Sequence, residues 1–311
     1  MKANDLLGMM GGLALFLYGM TMMSEGLENM AGNRLEKILK QLTHHKIKAV
    51  CVGVIITALI QSSSAMTVML VGFVNSGIMP LENAIWVVMG ANIGTTMTGQ
   101  MIALDIGVFA PVFAFIGIIL FVFCSRLKYL GSAIGGIGIL FMGLEIMSLS
   151  VMPLKNSYFF LRCIQWFSYP LFGMIIGALF TAMIQSSSAS IGILQSLSKQ
   201  GFFTLQQSAY MIYGFDIGTC ITAFLASFTG NRSGKQLALF HLILNLFGTI
   251  IFTILSLLTP FLHWISLMTP HSLMRQLANL HTIFNIGTTI IALCFDRYFI
   301  KMIYKILPNK Q

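Results

Sequence analysis

The sequence predicts an all-α polytopic membrane protein built as two inverted-topology repeats, each holding a re-entrant helical hairpin and a broken transmembrane helix. Three observations carry that expectation. Of the 311 residues, 57% are hydrophobic and only 9% charged, with a mean hydropathy of +0.86, far from a soluble composition. The segment Gln61-Ser62-Ser63-Ser64-Ala65 recurs as Gln185-Ser186-Ser187-Ser188-Ala189. The offset between the two copies, 124 positions, also places Gly12 on Gly136, Gly19 on Gly143, Gly53 on Gly177, Thr57 on Thr181 and Gly90–Thr95 on Gly214–Thr219 without a gap. A register held over roughly 90 residues reads as a duplication.

Several apolar stretches reach the length a helix needs to cross a bilayer, and they lack the two-residue alternation of a membrane barrel. The net charge of +9 comes from Lys and Arg clustered in loops, which reads as a topology signal and excludes a nucleic-acid surface. The five cysteines are odd in number and show no CxxC spacing, so neither disulfide nor metal site is expected. One Lys precedes the first apolar segment and no small-residue cleavage site follows it, so no removable signal peptide is expected.

In chain order, residues 6–23 form a first span. Residues 25–43 interleave Leu27, Met30, Leu35, Ile38, Leu39 and Leu42 with Glu28, Arg34, Glu36, Lys37 and Lys40, the pattern of a helix lying in the interface. Residues 49–77 pass through the first QSSSA. Residues 81–104 carry Gly90-Ala91-Asn92-Ile93-Gly94-Thr95-Thr96 at mid-segment, where two glycines and a polar cluster predict a break. A span at 107–125 ends in Arg126 and Lys128. The second unit repeats the order with a span at 130–149, a connector at 152–167, the second QSSSA within 170–199, a broken segment at 203–228 and a span at 235–258. A last helix is expected at about 272–298. The units are therefore 1–128 and 129–258, followed by an extra helix and basic tail at 259–311.

Charge decides how the QSSSA segments run. If both are hairpins that enter and leave on one side, the basic groups at 34–48, 126–128, 232–235 and 297–310 share one face, which the positive-inside tendency makes cytoplasmic. The N-terminus is then outside, the C-terminus cytoplasmic, and the units are inverted. Inverted repeats with interrupted helices meeting near the midplane are the architecture of secondary transporters, here of elevator type, with 25–43 and 152–167 as connecting arms.

Each hairpin tip directs the unpaired N–H groups and positive dipole end of its second half-helix inward, so an anion can be held without buried Arg or Lys. The hydroxyls of Ser62, Ser63, Ser64, Ser186, Ser187 and Ser188 suit a tetrahedral oxyanion. Gln61, Asn92, Thr95, Thr96, Gln185, Asp216 and Thr219 supply oxygen for Na+, a hard cation. Asp216 aligns with neutral Asn92, and an intramembrane acid is a functional candidate; it could also take a proton from phosphate, which sulfate cannot offer at neutral pH. The pairs His241/Asn245 and His281/Asn285, each spaced one helical turn, are expected to hydrogen-bond across helices. No His or acid is spaced to activate a serine and G-x-S-x-G is absent, so hydrolytic chemistry is not expected.

The paired QSSSA motifs, the segments Gly90–Thr96 and Gly214–Cys220, and His281-x-x-x-Asn285 resemble those of the sodium/phosphate cotransporter II family over nearly the whole chain. The resemblance implies Na+-driven import of inorganic phosphate by alternating access, with the serines of both motifs near phosphate and the glutamines, serines and threonines near sodium. Asp216 and Cys220 replace an Asn and a Thr expected there, and the PhoU-like domain of many bacterial relatives has no counterpart before Gln311. The expected partners are inorganic phosphate, Na+, the lipid bilayer and a second copy in a homodimer, with no nucleic acid and no cofactor beyond the coupling ion. A carrier of another oxyanion coupled to Na+ or H+, and a re-entrant-loop channel, are the alternatives; a channel needs a continuous polar path, and here the polar residues concentrate at mid-segment.

Overall fold

The computed structural model describes residues 3–32, 34–228 and 230–308; the end of the predicted basic tail, Lys310, lies outside the described residues. All regular structure among them is helical, in chain order α1 (Ala3–Ala31), α2 (Arg34–Leu42), α3 (Lys46–Ile60), α4 (Ser63–Asn75), α5 (Leu81–Ile102), α6 (Ala110–Phe123), α7 (Lys128–Val151), α8 (Tyr158–Gln165), α9 (Pro170–Ile184), α10 (Ser187–Lys199), α11 (Leu205–Ser227), α12 (Arg232–Leu258), α13 (Phe261–Met268), α14 (Leu273–Cys294) and α15 (Asp296–Ile306). By length and composition α1, α7, α11, α12 and α14 can each cross a membrane. The chain is an integral membrane protein.

The first span and its arm divide differently from expectation. Helix α1 continues through Ala31, because Gly26 packs against α7, where an added Cβ would lie 2.6 Å from the Ala133 nitrogen. It stops only at Gly32, whose φ of +56° suits glycine. The amphipathic arm is thus α2 alone. The predicted helix at about 272–298 is two, α14 and the amphipathic α15, parted at Phe295, and α13 was not foreseen.

The predicted breaks in the two long central helices are overturned. Helices α5 and α11 run unbroken through Gly90–Thr96 and Gly214–Cys220. Their glycines serve close packing instead: a Cβ on Gly90 would run into the Val50 carbonyl oxygen of α3, and one on Gly214 into the Met174 carbonyl oxygen of α9. Nor do the hydroxyls unwind the backbone, since Thr95 and Thr96 donate back to the carbonyls of Ala91 (2.9 Å) and Ile93 (2.7 Å).

These same contacts fix direction. Gly90 abuts α3 at Val50 and Gly94, one turn on, abuts Val54 and Thr57, so α3 and α5 are parallel and α4 between them runs back. Gly214 and Gly218 meet Met174 and Ala178 in the same way, so α9 and α11 are parallel and α10 runs back. The first hairpin opens on the face where Asn231, at the start of α12, donates to the Asn75 carbonyl (2.7 Å) and Lys46 pairs with Asp296 (3.6 Å). The second opens on the opposite face, where Lys199 at the end of α10 pairs with Asp105 just beyond α5 (2.6 Å). Helices α1, α6 and α7 form a separate antiparallel bundle in which Gly12 meets Gly143 and Gly19 meets Gly136. Each of these contacts maps onto the other under the offset of 124.

Candidate functional site

At each hairpin tip the sequence Gln-Ser-Ser builds one short device. Gln61 and Gln185 end α3 and α9 in the left-handed region, at φ +55° and +61°. Extended Ser62 and Ser186 follow as N-caps, their hydroxyls accepting from Ala65 N (3.1 Å) and Ala189 N (3.2 Å). The cap satisfies one of the orphan N–H groups that open α4 and α10, and Ser63 and Ser187 become their first helical residues. The tips touch, since the Ser64 hydroxyl donates to the Gln185 carbonyl (3.0 Å). Charge-free donors from two helix ends thus converge beside Asn92 and Thr95 of α5 and Asp216 and Thr219 of α11.

The cleft between them is narrow and tightly closed by its walls, and is lined by Ser63, Asn92, Thr95, Ser187, Asp216, Thr219, His241 and Asn245. Three of the five pairs that the 124 offset forms among the predicted positions of the serine, Asn/Asp and Thr sets meet here: 63 with 187, 92 with 216 and 95 with 219. All six side chains are buried. The other predicted positions sit beside the cleft. Ser62 and Ser186 are caps and Ser64 links the tips, while Ser188 is buried within α10. The Gln61 Oε1 accepts from Thr98 (2.7 Å), Thr96 is occupied with its own helix, and Gln185 is exposed.

Behind the cleft, α12 and α14 hold the two central helices in a network of amides and imidazoles. Asn245 Nδ2 donates to the Asp216 carbonyl (2.6 Å) and to Cys220 Sγ (3.2 Å), and Asn245 Oδ1 accepts from Asn92 Nδ2 (2.7 Å). Asn92 Oδ1 faces His241 Nε2 at 3.2 Å. In the other half, the Asp216 carboxylate meets His281 Nε2 through Oδ1 (3.3 Å) and Asn285 Nδ2 through Oδ2 (2.8 Å). Both carboxylate oxygens therefore have donors, as a buried carboxylate requires. His241 and His281 are each only 1% exposed, and the Nδ1 of each is buried with no partner.

The cross-helix role expected of the His-x-x-x-Asn pairs is what the geometry gives them, but His241 and Asn245 also line the cleft. A signal for this was present in the sequence. Gln236, Leu237, Ala238, His241, Asn245 and Thr249 recur forty positions later as Gln276, Leu277, Ala278, His281, Asn285 and Thr289. The recurrence is structural as well, since Thr249 donates to the Tyr213 carbonyl (3.0 Å) and Thr289 to that of Met89 (3.1 Å), two positions that the 124 offset aligns.

The profile of the Na+/Pi-cotransporter family matches residues 15–149 and 162–295. An uncharacterised Bacillus subtilis protein, YqeW, is 32% identical over 306 residues, covering 96% of this chain and 97% of its own length. The Escherichia coli K12 protein YjbB, named for a proposed role in inorganic phosphate export, is 28% identical over 265 residues; these are 83% of this chain but 47% of that protein, so the match spans about half its length. The rat sodium-dependent phosphate transport protein 2A is 34% identical over 98 residues, 31% of this chain and 15% of that protein. No solved structure gives a significant match.

Proposed function

We propose, for a chain that belongs to the Na+/Pi-cotransporter family, Na+-coupled import of inorganic phosphate by alternating access. The observation that carries this reading is the convergence of Ser63 with Ser187, Asn92 with Asp216 and Thr95 with Thr219 on one buried cleft between two hairpin tips. Phosphate is held by the hydroxyls of Ser63 and Ser187 and by the first N–H groups of α4 and α10, with Ser62, Ser64, Ser186 and Ser188 shaping the tips. Na+ takes oxygen from Asn92, Thr95, Asp216 and Thr219, with Gln61, Gln185 and Thr96 adjoining.

The pseudo-symmetric pairing of contacts supports inverted units, and inverted units around a central site support alternating access. The bundle of α1, α6 and α7 then serves as the fixed body, and the two hairpins with α5, α11, α12 and α14 as the moving one. The basic residues Lys46, Lys48, Arg126, Lys128, Arg232, Lys235, Arg297, Lys301 and Lys305 fall on the face where the first hairpin opens, which supports a cytoplasmic C-terminus and an N-terminus outside.

The experiment is uptake of labelled phosphate into proteoliposomes under an inward gradient of Na+, of K+ or of protons alone, together with efflux from loaded vesicles. Uptake with Na+ alone is expected. Uptake driven only by protons would overturn sodium coupling, and transport confined to efflux would overturn import in favour of export, the direction in the name of the Escherichia coli relative.

A further inference from the structure

We infer that His241 Nδ1 accepts a hydrogen bond from the O–H of hydrogen phosphate, so that His241 selects a protonated oxyanion over an isosteric one without O–H. The inference rests on the phosphate reading above and deepens it. Its basis is a chain of hydrogen bonds whose polarity can be fixed from one end. The Asp216 carbonyl can only accept, so the atom Asn245 presents to it is Nδ2, and Asn245 Oδ1 is left facing Asn92. Asn92 must therefore offer its Nδ2 there and turn Oδ1 toward His241. An amide oxygen can only accept, so His241 Nε2 carries the hydrogen. In the neutral ring Nδ1 is then a bare lone pair, and this atom is buried with no partner.

A buried orphan acceptor, here on a side chain that lines the cleft, is costly unless something donates to it. Hydrogen phosphate has three acceptor oxygens and one O–H. The serine hydroxyls and helix N-termini serve the oxygens, and the O–H needs an acceptor. Asp216, the acceptor expected from the sequence, receives His281 on one oxygen and Asn285 on the other and keeps a lone pair on each, so it is the competing acceptor that the test must separate from His241. Thr95 and Thr219 give their hydrogens to the carbonyls of Ala91 and Phe215 and could accept through oxygen. Imidazole nitrogen is the stronger base, and His241 Nδ1 has no other bond to give up. His241 is 1% exposed and its side chain lines the cleft with Ser63 and Ser187. A site built to bond a substrate hydroxyl rejects the analogue that lacks it, because its own polar group is then left unpaired.

The test is competition against labelled phosphate uptake by the full chain in proteoliposomes, using arsenate, monofluorophosphate and sulfate. Arsenate keeps an O–H. Monofluorophosphate matches the size and charge of the hydrogen phosphate dianion but has fluorine in place of hydroxyl, and sulfate has no proton at neutral pH. Arsenate is expected to compete like phosphate and monofluorophosphate about tenfold or more less well. In His241→Leu the ratio between arsenate and monofluorophosphate should collapse toward one. His241→Gln, whose amide can donate to Asn92 and still present an oxygen, should keep most of the discrimination.

A purely structural role for His241 would weaken all competitors together and leave their ratio unchanged. Equal competition by arsenate and monofluorophosphate in the wild type, an unchanged ratio in His241→Leu, or a lost ratio in His241→Gln would each overturn the inference. Should His241→Leu fail to fold, the wild-type comparison and the Gln variant still decide. Absence of phosphate uptake by the wild type would instead remove the phosphate reading itself.

Discussion

Asn92 and Asp216 occupy equivalent positions on α5 and α11, yet their surroundings differ in kind. Asn92 sits in a relay in which each amide both gives and receives, from His241 through to the Asp216 carbonyl. Asp216 sits at an end point, a carboxylate that only receives, from His281 and Asn285. Two positions that the 124 offset aligns have thus been given opposite electrostatics with the same His-x-x-x-Asn helix pattern. A buried polar position is specified by the polarity of its partners as much as by its own side chain, so exchanging the residues should not be a symmetric operation.

The largest effect follows from that exchange. Asn92→Asp would set a carboxylate against Asn245 Oδ1, an acceptor 2.7 Å from the present Nδ2. Either the new acid stays protonated or an unpaired buried charge costs about 3 kcal/mol or more. Asp216→Asn keeps an oxygen for one of its two donors and strands the other, at about 1–2 kcal/mol. Thermal unfolding in detergent should show the first variant distinctly less stable than the second. Equal losses would mean that the relay polarity is not what distinguishes the halves. The second variant should also change the Na+ dependence of uptake, and an identical Na+ titration would remove Asp216 from the coupling site.

Where the halves agree, substitutions should agree too. Gly90→Ala and Gly214→Ala drive a Cβ into the backbone carbonyls of Val50 and Met174, and overpacking of this kind costs about 1–3 kcal/mol. Were the helices continuous but without this close contact, alanine would stabilise them by about 1 kcal/mol through its higher helix propensity. Destabilisation of both variants by similar amounts is expected, measured by the same melting curves. Stabilisation of either would remove the close approach at that glycine.

This sign difference also explains what the sequence made legible. The hairpin tips stood out because four polar side chains in an apolar run have few uses in a membrane. The continuity of α5 and α11 did not, because glycine beside polar residues describes a break and a close crossing equally well until the neighbouring helix is known. His241 and His281 were visible as a recurring pattern, but their partners Asn92 and Asp216 lie 149 and 65 residues away, and no local spacing connects them. The short helices α13 and α15 depend on tertiary contacts, such as Trp86 Nε1 to Asp296 Oδ2 at 3.2 Å, that no window of sequence contains.

The smallest expected effect separates adjacent serines at the tips. Ser62 and Ser186 spend their hydroxyls as helix caps, at 3.1 and 3.2 Å from the nitrogens of Ala65 and Ala189. Ser62→Ala and Ser186→Ala should each cost about 1 kcal/mol of stability, the usual loss of an N-cap. Ser63 and Ser187, one residue on, cap nothing and line the cleft. Ser63→Ala and Ser187→Ala should therefore melt close to the wild type and raise the phosphate KM more than the cap variants do. Paired melting and uptake curves for the four variants read both quantities. If the cap variants lose transport and keep stability while the neighbours do the reverse, the two serines have been assigned the wrong way round, and the phosphate oxygens lie one residue closer to the turn than the first helical positions of α4 and α10.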